Sequence, residues 1–224
     1  MPRAARQAPG GIIYHALNRS VGRRPIFDDA ADFAAFVRVL GQAVEKYSTP
    51  LLGWCLMSNH WHLVLWPRED GELSAFMRWL TTTHVRRWHE HRHSFGQGHV
   101  YQGRFKSFPV EKDEHLLMVI RYVERNPLRA GMVQRAEHWA YSSLCQRIGS
   151  GLKTPPLTAL PVAGPPDWLN WVNQPQTDAE MAALRCSVQR GQPFGDAEWQ
   201  EKTAMQLGLT HTFRKRGRVA KTMA

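Results

Sequence analysis

Acidic residues are in short supply: 19 Asp and Glu stand against 29 Lys and Arg, a formal net charge of +10. So one-sided a balance argues against polycationic partners. It favours a polyanion, whose phosphates a basic surface neutralises with release of counterions. Cysteine is scarcer still. Cys55, Cys145 and Cys186 are odd in number, widely separated and without a C-x-x-C pair, which speaks against a disulfide frame or a zinc knuckle. A reducing, cytoplasmic home is the corresponding expectation. No apolar run approaches the roughly 18 residues of a spanning helix, and MPRAARQAPGG lacks the apolar middle of a signal peptide. A membrane is therefore not expected as a partner. A G-x-x-x-x-G-K-[ST] phosphate loop and internal repeats are missing too.

What is present suffices for a sizeable core, with nine Trp and nine Phe. After a short basic arm, GGIIYHALNR (10–19) reads as a first strand and SVGRRP (20–25) as a turn. In 28–47, Phe33, Phe36, Val37, Leu40 and Val44 recur at helical spacing, with Asp28 or Asp29 as N-cap. LLGWCLMSNHWHLVLWP (51–67) is apolar on both alternating faces and reads as one central strand ended by Pro67. A second helix follows over 71–91, a strand over 99–111, and a third helix from an Asp113 cap to a stop at Pro127. This order predicts an α+β sandwich, mainly antiparallel, with helices packed on the sheet. From about Ser150 the chain turns rich in Pro and Gly. The expected division is a domain over 1–149 and, over 150–224, a linker, two short helices capped by Thr177 and Asp196, and a basic tail.

Within MSNHWHLVLW, strand alternation sends His60 and His62 to one face and Trp61 to the other. Two neutral imidazoles on one face can converge on a metal ion; the bland alternative is a pair of packed histidines. The flanks weigh against the bland reading, because a buried strand must give each polar group a partner. On the third helix Leu116, Leu117, Ile120 and Val123 form the packing stripe. Tyr122 and Asn126, four apart, share another face, although a lone Tyr122 is also an ordinary residue of an amphipathic helix. Together with the histidines they make a set of three neutral ligands and a phenol, suited to phosphate-bound Mg2+ or Mn2+.

YHALNR followed by RRPIF, then MSNHWHLVLWP, YQGRFKS and YVERNPLRAGMV occur in an order that resembles the HUH single-strand nucleases. Within them the chain is most similar to the IS200-like Y1 transposases of the REP-associated tyrosine transposase group. The resemblance runs from about Gly11 to Trp139. The later RGQPFGDAEW and RKRGRVAK look like that group's C-terminal region, with Val219 where its tail often carries proline. The resemblance implies a ferredoxin-like HUH core with a C-terminal helical extension. It implies His60 and His62 as the metal-binding pair, Asn126 as third ligand and Tyr122 as the nucleophile. The implied activity is that of a metal-dependent single-strand DNA endonuclease and strand transferase, working through a 5′-phosphotyrosine in DNA transposition and recombination. Its implied substrate is hairpin DNA of the kind found in repetitive extragenic palindromes, bound by a monomer or a homodimer.

Basic residues interleaved with aromatics suit single strands, where bases stack on rings and phosphates meet cations. Asn18, Arg19, Arg23, Arg24, Arg86, Arg87, Arg104, Lys106, Arg125 and Arg129 are the candidate DNA contacts. The extra histidines His84, His89, His91, His93 and His99 read as surface or DNA-facing positions. Two-metal carboxylate chemistry fits poorly, since the proposed strands carry almost no acids. A non-catalytic binder of structured DNA or RNA is the main alternative, and a structural zinc protein the second.

Overall fold

The computed structural model describes residues 7–150 and 155–214. Through its first part the chain runs β1 (Ile13–Arg19), α1 (Ala30–Tyr47), β2 (Leu51–Met57), β3 (His60–Leu65), α2 (Glu72–His91), β4 (Lys106–Val110) and α3 (Glu114–Glu124). It continues through α4 (Asn126–Arg129), α5 (Ser143–Arg147), α6 (Trp168–Asn173), α7 (Asp178–Arg190) and α8 (Ala197–Gln206). The four strands form one antiparallel sheet in the order β2-β3-β1-β4. That β-α-β-β-α-β path with this strand order is the expected ferredoxin-like α+β core.

Alternation along the strands divides the core in two. Tyr14, Ala16, Trp54, Leu56, Trp61 and Leu63 pack on one side with Phe36 and Leu40 of α1 and Phe76 and Leu80 of α2. Ile13, Leu52, Cys55, Val64 and Phe108 point the other way, onto Leu116, Ile120 and Val123 of α3. Both faces are therefore covered, which is why the strands read as continuous apolar runs. The helix caps fall where short oxygen-bearing side chains stand. Asp29 accepts from Asp32 N, Asp113 from His115 N and Asp196 from Trp199 N, while Thr177 and Glu180 form a reciprocal capping box.

Several expectations need correction. Residues 51–67 form two strands, because Ser58 and Asn59 make a two-residue turn closed by the Met57–His60 pair. Apolar periodicity on both sides of a turn cannot reveal it. The turn is held from outside as well: Ser58 O accepts from Ile26 N and Phe27 N, and Asn59 O from Ser20 N. The strand expected over 99–111 begins only at Lys106, with an isolated Tyr101–Ser20 bridge before it. Pro127 does not stop the helical path. It lies in the first turn of α4, where a missing N–H costs nothing, and Arg129 N and Ala130 N bond to Arg125 O and Asn126 O. The short helix α6, capped by Asp167, was not anticipated inside the Pro-rich region. His84 and His89 are not on the surface but buried, at 4% and 8% exposure. Trp61 Nε1 donates to Tyr101 Oη, which in turn pairs with His84 Nδ1 at 2.8 Å. Tail residues from 215 onward, Val219 among them, lie outside the described residues.

The segment after residue 155 packs back on the sheet. Met181 and Leu184 of α7 and Phe194 join the α3 side of the core, and Phe194 adds a parallel bridge to Val110 at the free edge of β4. Three polar ties also fasten this segment to the helix carrying Tyr122. Trp168 Nε1 donates to Glu124 Oε2 at 2.9 Å, and Arg121 Nη2 donates to Gln174 O and Pro175 O at 2.7 and 3.1 Å.

Candidate active site

The sheet order makes β1 and β3 the two central strands, and the α3 side of both carries histidine. His60 and His62 sit on that side with ring centroids 5.1 Å apart, while Trp61 is buried on the other. A third ring joins them from β1. His15 pairs across the ladder with Val64, so His62 is its diagonal neighbour, and His15 Nε2 lies 2.9 Å from His62 Nδ1. Above them α3 turns Tyr122 inward. Its ring meets His62 edge-on at 5.8 Å and His15 at 6.3 Å, and the residue is only 6% exposed.

Asn126, one helical turn beyond Tyr122, is also buried. Its carboxamide oxygen accepts from Arg129 Nη2 at 2.7 Å, while its Nδ2 is buried without a partner among the described residues. The Arg129 guanidinium lies 4.1 Å from the centre of the Tyr122 ring. One cationic group thus covers the phenol and engages the carboxamide.

Burial holds the histidines neutral. Desolvation, with help from Arg19 and Arg129, lowers His60 to about 4. Desolvation together with His15, His60, Arg129 and Arg19 holds His62 well below the usual imidazole value, and burial alone lowers His15 to about 3. Neutral imidazoles are the form that donates a lone pair to a metal. The donor set fits such an ion in a second respect. Asn59 Nδ2 donates to Arg23 O at 2.9 Å, which turns Asn59 Oδ1 toward His60 Nδ1 at 2.7 Å. A carboxamide oxygen only accepts, so His60 carries its proton on Nδ1 and its lone pair on Nε2. His62 likewise spends Nδ1 on a protein partner. Metal-ligating imidazoles are commonly held in this way, with the second nitrogen fixed by the protein.

Among the described residues, another group able to hold a metal is Glu111, Asp113 and His115. It lies at the other end of α3, nine residues before Tyr122 or about 13 Å along a helix. Local roles account for its atoms: Asp113 caps α3 and pairs with His115 Nδ1, and Glu111 Oε2 accepts from Asp196 N.

The basic residues divide between sites. Arg19 is paired in register with His60, and exposed Arg23 and Arg24 follow in the 3-10 turn that Asn59 grips. Asn18 is buried and structural: its Nδ2 donates to Gly103 O at 3.2 Å and its oxygen accepts from Arg19 N. That bond ties down the loop before exposed Arg104 and Lys106. Arg125 and Arg129 flank the tyrosine end of α3 and are half-buried; burial and the neighbouring Arg121 and Arg129 lower the Arg125 pKa. Arg86 and Arg87 are exposed on α2, across the sheet from Tyr122. Sequence reasoning passed over His15 and Asn59. His15 bore a usable signal, since it shares a strand with buried Ile13, but its neighbour on β3 emerges only from the pairing register.

A family model described as Transposase IS200 like matches residues 10–126. The chain is similar to a putative REP-associated tyrosine transposase of Haemophilus influenzae, 24% identical over 110 residues. That match covers 46% of this chain and 62% of the relative, so it spans about three fifths of the relative's length. Among solved structures, the chain is similar to a REP-associated tyrosine transposase bound to a REP hairpin. The TM-score is 0.53 at 16% identity, covering 74% of this chain and 93% of that one. At so low an identity this likeness speaks for the fold.

Proposed function

The chain belongs to the IS200-like transposase family, and from that premise we propose that it cleaves and rejoins single-stranded DNA at hairpins, using Tyr122 as nucleophile. One observation carries the reading: the Tyr122 ring stands edge-on to His62, 5.8 Å away, with His60 beside it and all three in a single chain. A nucleophile on the helix and a cation-holding pair on the sheet are what phosphodiester transfer needs on either side of one phosphate.

In this reading Tyr122 Oη forms a bond to phosphorus and loses its proton. The 3′ oxygen leaves and is protonated, giving a 5′-phosphotyrosine and a free 3′-OH. Because the phosphoester link is conserved, attack by another 3′-OH can reverse the step with no nucleoside triphosphate. His60 and His62 would hold a divalent ion, Mg2+ or Mn2+, through Nε2, and such an ion would supply charge relief on the non-bridging oxygens. Asn126 is suited to be the third ligand once its oxygen is shared with or released by Arg129. Arg129 itself then stands free to meet the phosphate, as a planar guanidinium does well. Arg19, Arg23, Arg24, Arg104 and Lys106 would grip the strand on the His60 side, and Arg125 on the tyrosine side. Arg86 and Arg87 would be remote contacts, reached only by DNA that wraps past the sheet edge. The similarity to a transposase bound to a REP hairpin supports a palindromic hairpin as substrate. Tyr122, His62 and the ties from α6 all belong to one chain, which supports a site complete in a monomer.

The test is an adduct assay. Hairpin oligonucleotides incubated with the protein and Mn2+ should give a covalent protein–DNA species, absent for Tyr122→Phe although hairpin binding persists. Adduct formation by the phenylalanine variant would refute the assignment. Binding by the wild-type protein with no adduct on any hairpin would leave a polynucleotide-binding protein.

A further inference from the structure

The third histidine stands outside the chemistry just described, yet it is the most thoroughly enclosed of the set. His15 is fully buried, packed between His62 at 5.0 Å and Phe108 at 4.8 Å between ring centroids. Its Nε2 touches His62 Nδ1 at 2.9 Å, and its own Nδ1 is buried with no hydrogen-bond partner among the described residues. An unpaired buried polar atom destabilises the folded state, so a packed core would ordinarily replace such a residue with an apolar one.

A neutral imidazole has one proton and one lone pair, and that rule links the two rings. If His62 offers its Nε2 lone pair to a cation, its proton must sit on Nδ1. The 2.9 Å bond then runs from His62 Nδ1–H to His15 Nε2. His15 must in turn carry its proton on the unpartnered Nδ1. Run the other way, the bond leaves His62 with a proton on Nε2, where it blocks coordination. Asn59 fixes the tautomer of His60 by its carboxamide oxygen; among the described residues, His15 is the group in place to do so for His62.

We propose that His15 is a positioning residue of the metal centre, which accepts the Nδ1 proton of His62 and so presents His62 Nε2 to the cation. The inference rests on the reading of His60 and His62 as ligands. An uncharged acceptor in this place orients the ligand without adding negative charge that would offset the cation's pull on a phosphate. The unpartnered nitrogen is the cost of that arrangement.

His15→Phe keeps the ring packing against Phe108 and removes the acceptor. His15→Gln returns an acceptor, since a glutamine Oε1 reaches about as far as an imidazole Nε2. Mn2+ affinity, read from the free-ion electron paramagnetic resonance signal of the full chain, should fall about 10–100-fold in His15→Phe. It should be largely restored in His15→Gln, with hairpin binding unchanged in both. Wild-type affinity in His15→Phe, when His62→Ala has lost binding, overturns the role of His15 alone. Wild-type affinity in His62→Ala overturns the ligand reading and this inference with it. Should His15→Phe fail to fold, the long-range 1H–15N spectrum of the Zn2+-loaded wild-type protein decides. A proton on His62 Nδ1 sustains the proposal, and a bare Nδ1 overturns it.

Discussion

Glu124 is a carboxylate with no exposure at all, two residues beyond Tyr122 on the same helix. Its Oε1 accepts from Ser143 Oγ at 2.6 Å and Arg147 Nε at 2.8 Å, and its Oε2 accepts from Trp168 Nε1 at 2.9 Å. Arg147, 16% exposed, also donates to Leu52 O on β2, so the cluster locks α3 to α5, α6 and the sheet. Glu124→Gln preserves the shape but turns one acceptor into a donor. With the carboxamide oxygen kept toward Ser143 and Arg147, its NH2 confronts the Trp168 indole N–H, and a buried donor is stranded. That costs about 1–3 kcal/mol, and the ion pair loses its charge-assisted part besides. Breaking a buried pair from one side is worth about 3–5 kcal/mol, and the slight exposure of Arg147 argues for the lower end, about 3 kcal/mol. For a chain with a net stability on the order of 5–15 kcal/mol that is a large share. Urea unfolding followed by tryptophan fluorescence should register it as a lower midpoint with an unchanged slope. Adduct formation should slow as well, because the tyrosine end of α3 loses its anchor. A cycle with Arg147→Ala should return a coupling of about 1–3 kcal/mol. A Glu124→Gln variant within about 1 kcal/mol of the wild type, or a coupling near zero, would refute this account of what holds the helix.

Arg129→Met removes the guanidinium that adds to the effect of burial in lowering His60 and His62, and it frees the Asn126 oxygen. Mn2+ affinity should rise by on the order of tenfold, the scale of one half-buried charge repulsion of about 1.4 kcal/mol, while adduct formation falls. Unchanged affinity would show that Arg129 does not compete with the cation. Acid should destabilise the fold through His84, which burial lowers to about 3. The unfolded chain, with an ordinary value near 6.5, binds more protons between those limits, so stability present above pH 6.5 falls as pH drops toward 3. His84→Asn keeps an acceptor for Tyr101 and should flatten the pH dependence of the melting temperature between pH 6 and 4, by at most about 1.4 kcal/mol per pH unit. An identical slope would show that His84 is not among the buried histidines responsible. Gly10→Ala should cost well over 2 kcal/mol and Gly53→Ala only about 1 kcal/mol, measured by urea unfolding. The added Cβ would lie 2.2 Å from the Arg68 carbonyl oxygen in the first and 2.7 Å from the movable Ile120 Cδ1 in the second. The reverse ranking would mean that the backbone at Gly10 yields more easily than that contact implies.

Local chemistry was legible wherever a residue type answers to its own neighbours. The helix starts at Asp113, Thr177 and Asp196 could be read directly, and the start of α1 to within Asp28 or Asp29, because a capping side chain bonds to backbone only two or three residues away. The common face of His60 and His62 follows from the period of a strand, and Tyr122 and Asn126 fall one turn apart by the period of a helix. The turn at Ser58–Asn59 was hidden because apolar residues flank it on every side. Pro127 was misread because the same missing N–H that ends one helix also suits the start of the next.

The amino-acid order alone determined the longer helices, the common faces of strand residues and the family motifs, because each depends on residues a few positions apart, and the basic balance, which is a matter of composition. Only the tertiary structure decided that α3 lies over β1 and β3, that His15 meets His62, and that Arg129 covers Tyr122. Those pairings join residues 7 to 107 positions apart, and they exist only once sheet register and helix packing have brought distant backbone together.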